Sequence, residues 1–346
     1  MNTPTGPVVL GVDVGGSGLR ARISRLTGGS PRVLAAAARR QPMTVDGEHL
    51  ARVLTDVIGD VTTGAGGPVP HAAAVGCTGA ALLGQDLRTA VTRAVARASG
   101  AAQVVLCSDL LTGYLGAVGF TPGAVLAAGT GAVALGTDLH GRWRRVDGWG
   151  HLLGDAGGGS WIGREGMQAA YRAVDGRPGG SAPLLAALRA AHGEPSALVA
   201  DLTTRADRAG VFAAFAPTVI DAAADDPVAA DIVHRAAGHL AGTLLAALPP
   251  GTTPTGAVTG NLLRPDSPLT TAFTDTIRTR CPAMTLHEPA GTPLDGAITL
   301  AAAVLNGPLP AGLADAAALT TLRRPHPSQE RDPCKRHPPS TADATD

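Results

Sequence analysis

Three carboxylates in the sequence stand where a strand ends or a glycine run begins. Asp13 opens Asp13-Val14-Gly15-Gly16-Ser17-Gly18, Asp109 follows Val104-Val105-Leu106-Cys107-Ser108, and Asp155 lies in the loop Gly148-Trp149-Gly150-His151-Leu152-Leu153-Gly154-Asp155-Ala156-Gly157-Gly158-Gly159. A carboxylate at the carboxyl end of a strand points into the crevice where α/β folds bind ligands. There Asp13 can hold Mg²⁺ through water, as that ion prefers, or can simply start a turn. Asp109 can accept the proton of an attacking hydroxyl, or can cap a helix beginning at Leu110. The residues alone leave both pairs of readings open.

The glycine turns suggest what such carboxylates would serve. Gly15-Gly16-Ser17-Gly18 and Gly129-Thr130-Gly131 each follow an apolar strand-like run. Glycine lets the backbone approach a ligand closely, and successive N–H groups in such a turn make an anion-binding concavity. Both turns also fit a loose G-x-G-x-x-A, a dinucleotide signature that needs a helix directly after the glycines. Here Arg20–Ser24 and Val133–Thr137 read as strands instead. An ordinary hairpin turn explains either one singly; two, about one domain apart, can clamp a single phosphate chain. In the 148–159 loop, Trp149 can pack on the apolar face of a sugar ring and Asp155 can accept hydrogen bonds from its hydroxyls, whereas a plain connector is the alternative. His151 reads as a structural hydrogen-bonding residue.

Composition removes other chemistries. The only lysine is Lys335, so the body of the chain supplies neither a Walker-A lysine nor a Schiff base. Cys77, Cys107, Cys281 and Cys334 are too far apart for zinc or Fe–S spacing, and Cys77 and Cys107 read as buried thiols. No G-x-S-x-G elbow occurs, and His287-Glu288 does not continue into H-E-x-x-H. Formal charge is balanced and aromatic residues are 3%, which argues against capture of nucleic acid or a membrane. There is no basic n-region with an apolar stretch and no run of about 18 apolar residues. The expectation is a soluble cytoplasmic protein, with a homodimer as the commonest assembly.

The elements that position these residues follow from periodicity. Val8–Val12, Leu19–Ser24 and Arg32–Ala37 read as an antiparallel meander. Leu50, Val53, Leu54, Val57, Ile58 and Val61 share one helical face. Ala72–Cys77 is a buried strand; Asp86 caps a second helix that stops at Gly100; Val104–Cys107 is another strand. The order is β-β-β-α-β-α-β. Ala124–Ala128, Val133–Thr137 and Trp143–Val146 begin the second half in the same way. Helices are expected near 160–174, 183–192, 208–224 and 228–248. Strands near 255–259 and 283–287 flank a helix near 268–280, and a last helix runs from about Pro293 to Leu305. From 323 the chain is polar and Pro-rich, without periodicity. This gives an N-terminal domain over 1–120, a C-terminal domain with a helical insertion over 121–322, and a disordered tail over 323–346.

The runs G-V-D-V-G-G-S-G, C-S-D, A-A-G-T-G-A and G-W-G-H-L-L-G-D-A-G-G-G-S-W-I-G together resemble the N-acetylglucosamine kinase branch of the BadF/BadG/BcrA/BcrD ATPases, over about residues 8–306. The resemblance implies a duplicated ribonuclease H-like (actin-like ATPase) α/β fold, with two domains around a nucleotide cleft. It implies ATP and Mg²⁺ as cofactors and a small amino sugar as substrate. Asp13, Gly15, Gly16 and Ser17 match the first phosphate motif, with Asp13 toward the metal. Gly129, Thr130 and Gly131 match the second. Gly260 and Asn261 fall at the adenosine motif, and Ala213, within Phe212–Phe215, borders the nucleotide. Asp109 matches the general base. Gly148, Trp149, Gly150 and Asp155 match sugar contacts, with Thr78 and Gly79 as neighbours. One departure stands out: the family often offers the sugar an Asn after the third strand, and here that stretch is Arg39-Arg40-Gln41-Pro42-Met43. No cysteine pair matches the Fe–S ligands of the dehydratase activators in the same group. A nucleotide- or sugar-binding ATPase or sensor that transfers no phosphate is the other class of reading.

Overall fold

The structure, a computed structural model, describes residues 6–15, 18–40, 47–80, 83–313 and 319–323. The chain runs β1 (Val8–Gly15), β2 (Gly18–Arg25), β3 (Arg32–Arg40), α1 (Gly47–Gly64), β4 (Ala72–Cys77), α2 (Gln85–Ser99), β5 (Gln103–Ser108) and α3 (Asp109–Val118). A second series follows: β6 (Gly123–Ala128), β7 (Ala132–Thr137), β8 (Trp143–Asp147), α4 (Gly159–Val174), α5 (Ala182–His192), α6 (Pro195–Thr204), α7 (Arg208–Ala222) and α8 (Pro227–Ala247). The chain then continues through β9 (Thr255–Thr259), α9 (Pro268–Arg280), β10 (Thr285–His287), α10 (Pro293–Asn306) and β11 (Thr320–Arg323).

The first sheet has the order β11-β5-β4-β1-β2-β3 and the second β10-β9-β6-β7-β8. Read from their meanders, both run third–second–first–fourth–fifth strand, so the second half repeats the first. In each, an antiparallel hairpin is followed by strands parallel to its first member. Parallel strands need cover on both faces, and β1 has it. Val8, Leu10, Val12 and Val14 join the core that α1 and α2 close, while Val9 faces the core of α3 and α10. Among the described residues, no helix is long and apolar enough to cross a membrane.

Two local expectations change. Asp86 lies in the first turn of α2, but the N-cap is Gly84 and makes no side-chain cap; Gly100 does end that helix in the left-handed region, with φ 71°. The chain also returns to the first sheet at its end. β11 pairs antiparallel with β5, matching Thr320 to Leu106, so Arg323 ends a strand and does not open the tail. Residues 324–346 lie outside the described residues.

α10 also packs on the first sheet, crossing α3 where both helices carry glycine. A Cβ on Gly296 would lie only 1.8 Å from the Thr112 carbonyl oxygen, and one on Gly116 only 2.0 Å from that of Thr292. The two backbones therefore touch. Gly296→Val should cost about 1–3 kcal/mol through overpacking. A thermal melt should drop by several degrees, and an unchanged melting temperature would show that the crossing tolerates a side chain.

Candidate active site

The carboxyl ends of β1, β4 and β5 lie side by side, because Asp13 is paired with Gly76 and Cys77 with Ser108. Asp13 leaves β1 buried at 8% exposure. Burial pushes its pKa up to about 6; the Arg20 guanidinium opposes this and Asp109 adds to it. Arg20 stands directly across the hairpin, 3.6 Å away and largely exposed, so solvent screens the pair.

Asp109 is half-buried and is the first residue of α3. It is not the helix cap. Ser108 is, its hydroxyl accepting the Leu110 N–H at 3.2 Å. The Asp109 carboxylate is held by both side chains and backbone: the Ser108 hydroxyl donates to it at 3.3 Å, and Thr78 and the Leu110 and Asp109 N–H groups hydrogen-bond it as well. Burial nonetheless outweighs these bonds and raises its pKa. Thr78 follows β4, its N–H bonded to the Val14 carbonyl at 2.9 Å, and Gly79 turns the chain with φ 71°. Asp13, Gly15, Thr78, Gly79 and Asp109 thus form one group. Gly16 and Ser17, and Gln41 to Met43, lie outside the described residues.

The second group sits at the end of β6. The Gly129–Gly131 turn is closed by the Gly129 N–H on the Gly131 carbonyl at 2.9 Å. The first amides of α4 anchor it: Gly159 donates to the Gly129 carbonyl and Ser160 to that of Thr130, both at 2.8 Å. Ala213 of α7 packs against Gly159. Just after β9, Gly260 lies against the Ala128 backbone, and a Cβ on Gly129 would lie 4.0 Å from the Asn261 Oδ1. The Gly129–Gly131 turn, Gly260, Asn261 and Ala213 therefore converge.

The 148–159 loop crosses this group. Its Gly148 N–H bonds the Ala132 carbonyl at 3.0 Å. Asp155, with φ 54°, sets its carboxyl on the Gly129–Gly131 turn, so that a Cβ on Gly131 would lie 2.6 Å from it. Burial raises the Asp155 pKa, against the facing N–H of Ala132; Asp147 adds to the rise, and Gly150 N–H and His151 oppose it. Trp149 is 70% exposed and carries the Arg145 guanidinium 5.2 Å over its ring. Gly150 closes a turn, its carbonyl accepting the Gly154 N–H at 2.8 Å. The His151 carbonyl accepts from Arg164 at 2.9 Å, a structural bond. Cys77 and Cys107 are buried free thiols, and burial pushes Cys77 up to about 12.

Sequence reasoning missed Ser108, Arg20 and Asp147, which touch the site residues. The Ser-Asp pair at the start of α3 was the available signal for the first, since Ser is also a favoured cap. Among the described residues no three His, Cys, Asp or Glu side chains form a metal cage. Mg²⁺ in phosphoryl transfer does not require one, taking one or two carboxylates, waters and phosphate oxygens. A buried Asp13 of raised pKa beside Asp109 fits that role, because a divalent cation would offset their mutual repulsion.

The sequence profile of the BadF/BadG/BcrA/BcrD ATPase family matches residues 10–301. An N-acetylmuramic acid/N-acetylglucosamine kinase of Clostridium acetobutylicum is 28% identical over 173 residues, 49% of this chain and 55% of that protein. The match spans about half the length of that curated relative. Among solved structures, a proposed N-acetylglucosamine kinase of Chromobacterium violaceum is 28% identical, with TM-score 0.67 over 86% of this chain and 99% of that one. A proposed N-acetylglucosamine kinase of Porphyromonas gingivalis, 16% identical, shares the fold, with TM-score 0.65 over 87% of this chain and all of that one. With the repeated strand order, these likenesses bear out the duplicated ribonuclease H-like, actin-like ATPase fold.

Proposed function

Because the chain belongs to the BadF/BadG/BcrA/BcrD ATPase family, we propose that it is an ATP-dependent sugar kinase transferring the γ-phosphoryl group to the 6-hydroxyl of an amino sugar, N-acetylglucosamine or glucosamine. The observation that carries the reading is Asp109: a carboxylate next to the Ser108 N-cap, raised in pKa by burial, and set beside Asp13 at the carboxyl ends of parallel strands. The kinase relatives support the substrate class.

In this reading Asp109 accepts the proton of the sugar hydroxyl as its oxygen attacks the γ-phosphorus. The bond to the β,γ-bridging oxygen breaks and ADP leaves. The backbone N–H groups of the two glycine turns hold the phosphate oxygens, since phosphoryl transfer is catalysed mostly by positioning and electrostatics. Asp13 would hold Mg²⁺ through water, and the ion would supply charge neutralisation at the phosphates. Gly148, Trp149, Gly150 and Asp155 receive the sugar, with Thr78 and Gly79 beside the base. Gly260, Asn261 and Ala213 border the nucleoside. A cytoplasmic location, where ATP is available, is part of this reading.

A coupled ADP-release assay across a panel of amino sugars tests the proposal. ADP release that depends on N-acetylglucosamine or glucosamine is the expected result. Release that ignores every sugar would replace the kinase with a switch-type ATPase, and no release at all would leave a binding protein.

A further inference from the structure

Asp147 ends β8 in the left-handed region, with φ 61°. Few residues other than glycine adopt that conformation, and aspartate is among the tolerated ones. Its register partner is Val133 of β7, one residue beyond Ala132. Both of its oxygens are committed. One accepts the Asp155 N–H at 2.7 Å and the other the Ala156 N–H at 3.0 Å. Asp155 is held in its own left-handed conformation, with its carboxyl facing the Ala132 amide and Gly131. The next residue after Asp147 returns to the same turn, through the Gly148 N–H on the Ala132 carbonyl at 3.0 Å. Asp147, Asp155, Ala132 and Gly148 thus close a ring that joins the 148–159 loop to the Gly129–Gly131 turn.

We propose that Asp147 is a positioning residue that clamps the 148–159 loop onto the second glycine turn, so that loop and turn present their groups to nucleotide and sugar as one unit. It acts through Asp155 and touches neither ligand. The inference rests on the reading of Gly129–Gly131 as a phosphate turn. It separates two reasons for an aspartate here: tolerance of a positive φ, which glycine would satisfy better, and the paired acceptors, which glycine lacks.

The experiment compares the wild type with Asp147→Gly, Asp147→Ala and Asp147→Asn. Calorimetric titration with a non-hydrolysable ATP analogue and Mg²⁺ reads the nucleotide site, and ADP release with N-acetylglucosamine reads KM and kcat. Asp147→Gly should weaken the analogue about tenfold and raise the sugar KM by a similar factor, within the range of coupling between linked sites, while the melting temperature holds. Asp147→Asn keeps one acceptor oxygen and should recover part of both losses. Asp147→Ala adds backbone strain and should be the worst of the three. An Asp147→Gly protein that binds the analogue as the wild type does would overturn the proposal. If the wild type phosphorylates no sugar, the kinase reading fails separately, and the titration still decides the role of Asp147.

Discussion

Asp109→Asn should lower kcat by about two orders of magnitude or more, the usual contribution of a positioned general base. Sugar and nucleotide affinity should change little. The amide has nearly the shape of the carboxyl and keeps one acceptor oxygen for the Leu110 N–H, and the Ser108 hydroxyl still caps α3. The pH profile gives a second signature. Asp109 works only when deprotonated, and burial raises its pKa above the ordinary carboxylate value. The wild-type rate should therefore fall on the acid side as pH drops through that raised value and reach a plateau above it. Asp13 is also raised, to about 6, and contributes to the same limb through the metal. In Asp109→Asn the part of the limb due to Asp109 should vanish with the rate. Full activity in this variant would remove the base from the mechanism.

Gly131→Val is expected to cost about 10²–10³-fold in kcat/KM, the scale for losing preorganised backbone donors. A Cβ at this position would stand 2.6–2.9 Å from the atoms of the Asp155 carboxyl group. Either the turn or the aspartate must shift, and both belong to the second group of site residues. The α4 amides that anchor Gly129 and Thr130 remain, so the domain should still fold. Steady-state kinetics beside a thermal melt separates a damaged site from a damaged fold. Near-wild-type kinetics would show that the turn does not hold phosphate.

Much of the fold is legible in local pattern because its strands and helices bury regular faces. Leu50, Leu54, Val57, Ile58 and Val61 are all buried in α1, as their spacing requires. The repeat of a hairpin around a glycine turn is visible because turn residues punctuate it. What escaped depends on distant partners. β11 is four residues with a single buried side chain, and its strand character comes from pairing with β5. α6 buries only Pro195 and Leu198, too little for a periodic signal. For the same reason the domain limit at 322 differs from the packing, since α10 and β11 close the first sheet and not the second. In the site, Asp109 was legible as base or cap, and the N-cap of α3 is the neighbouring serine. Asp147 was not legible, because its role is to accept two N–H groups eight and nine residues further on, and no spacing rule encodes that.

The central claim is that phosphate passes from ATP to a sugar hydroxyl. Phosphorus NMR of the full-length protein with ATP, Mg²⁺ and N-acetylglucosamine follows that atom directly. The account predicts a new phosphomonoester signal, coupled to the two protons on carbon 6, growing in equal amount with ADP. ADP accompanied only by inorganic phosphate would contradict it.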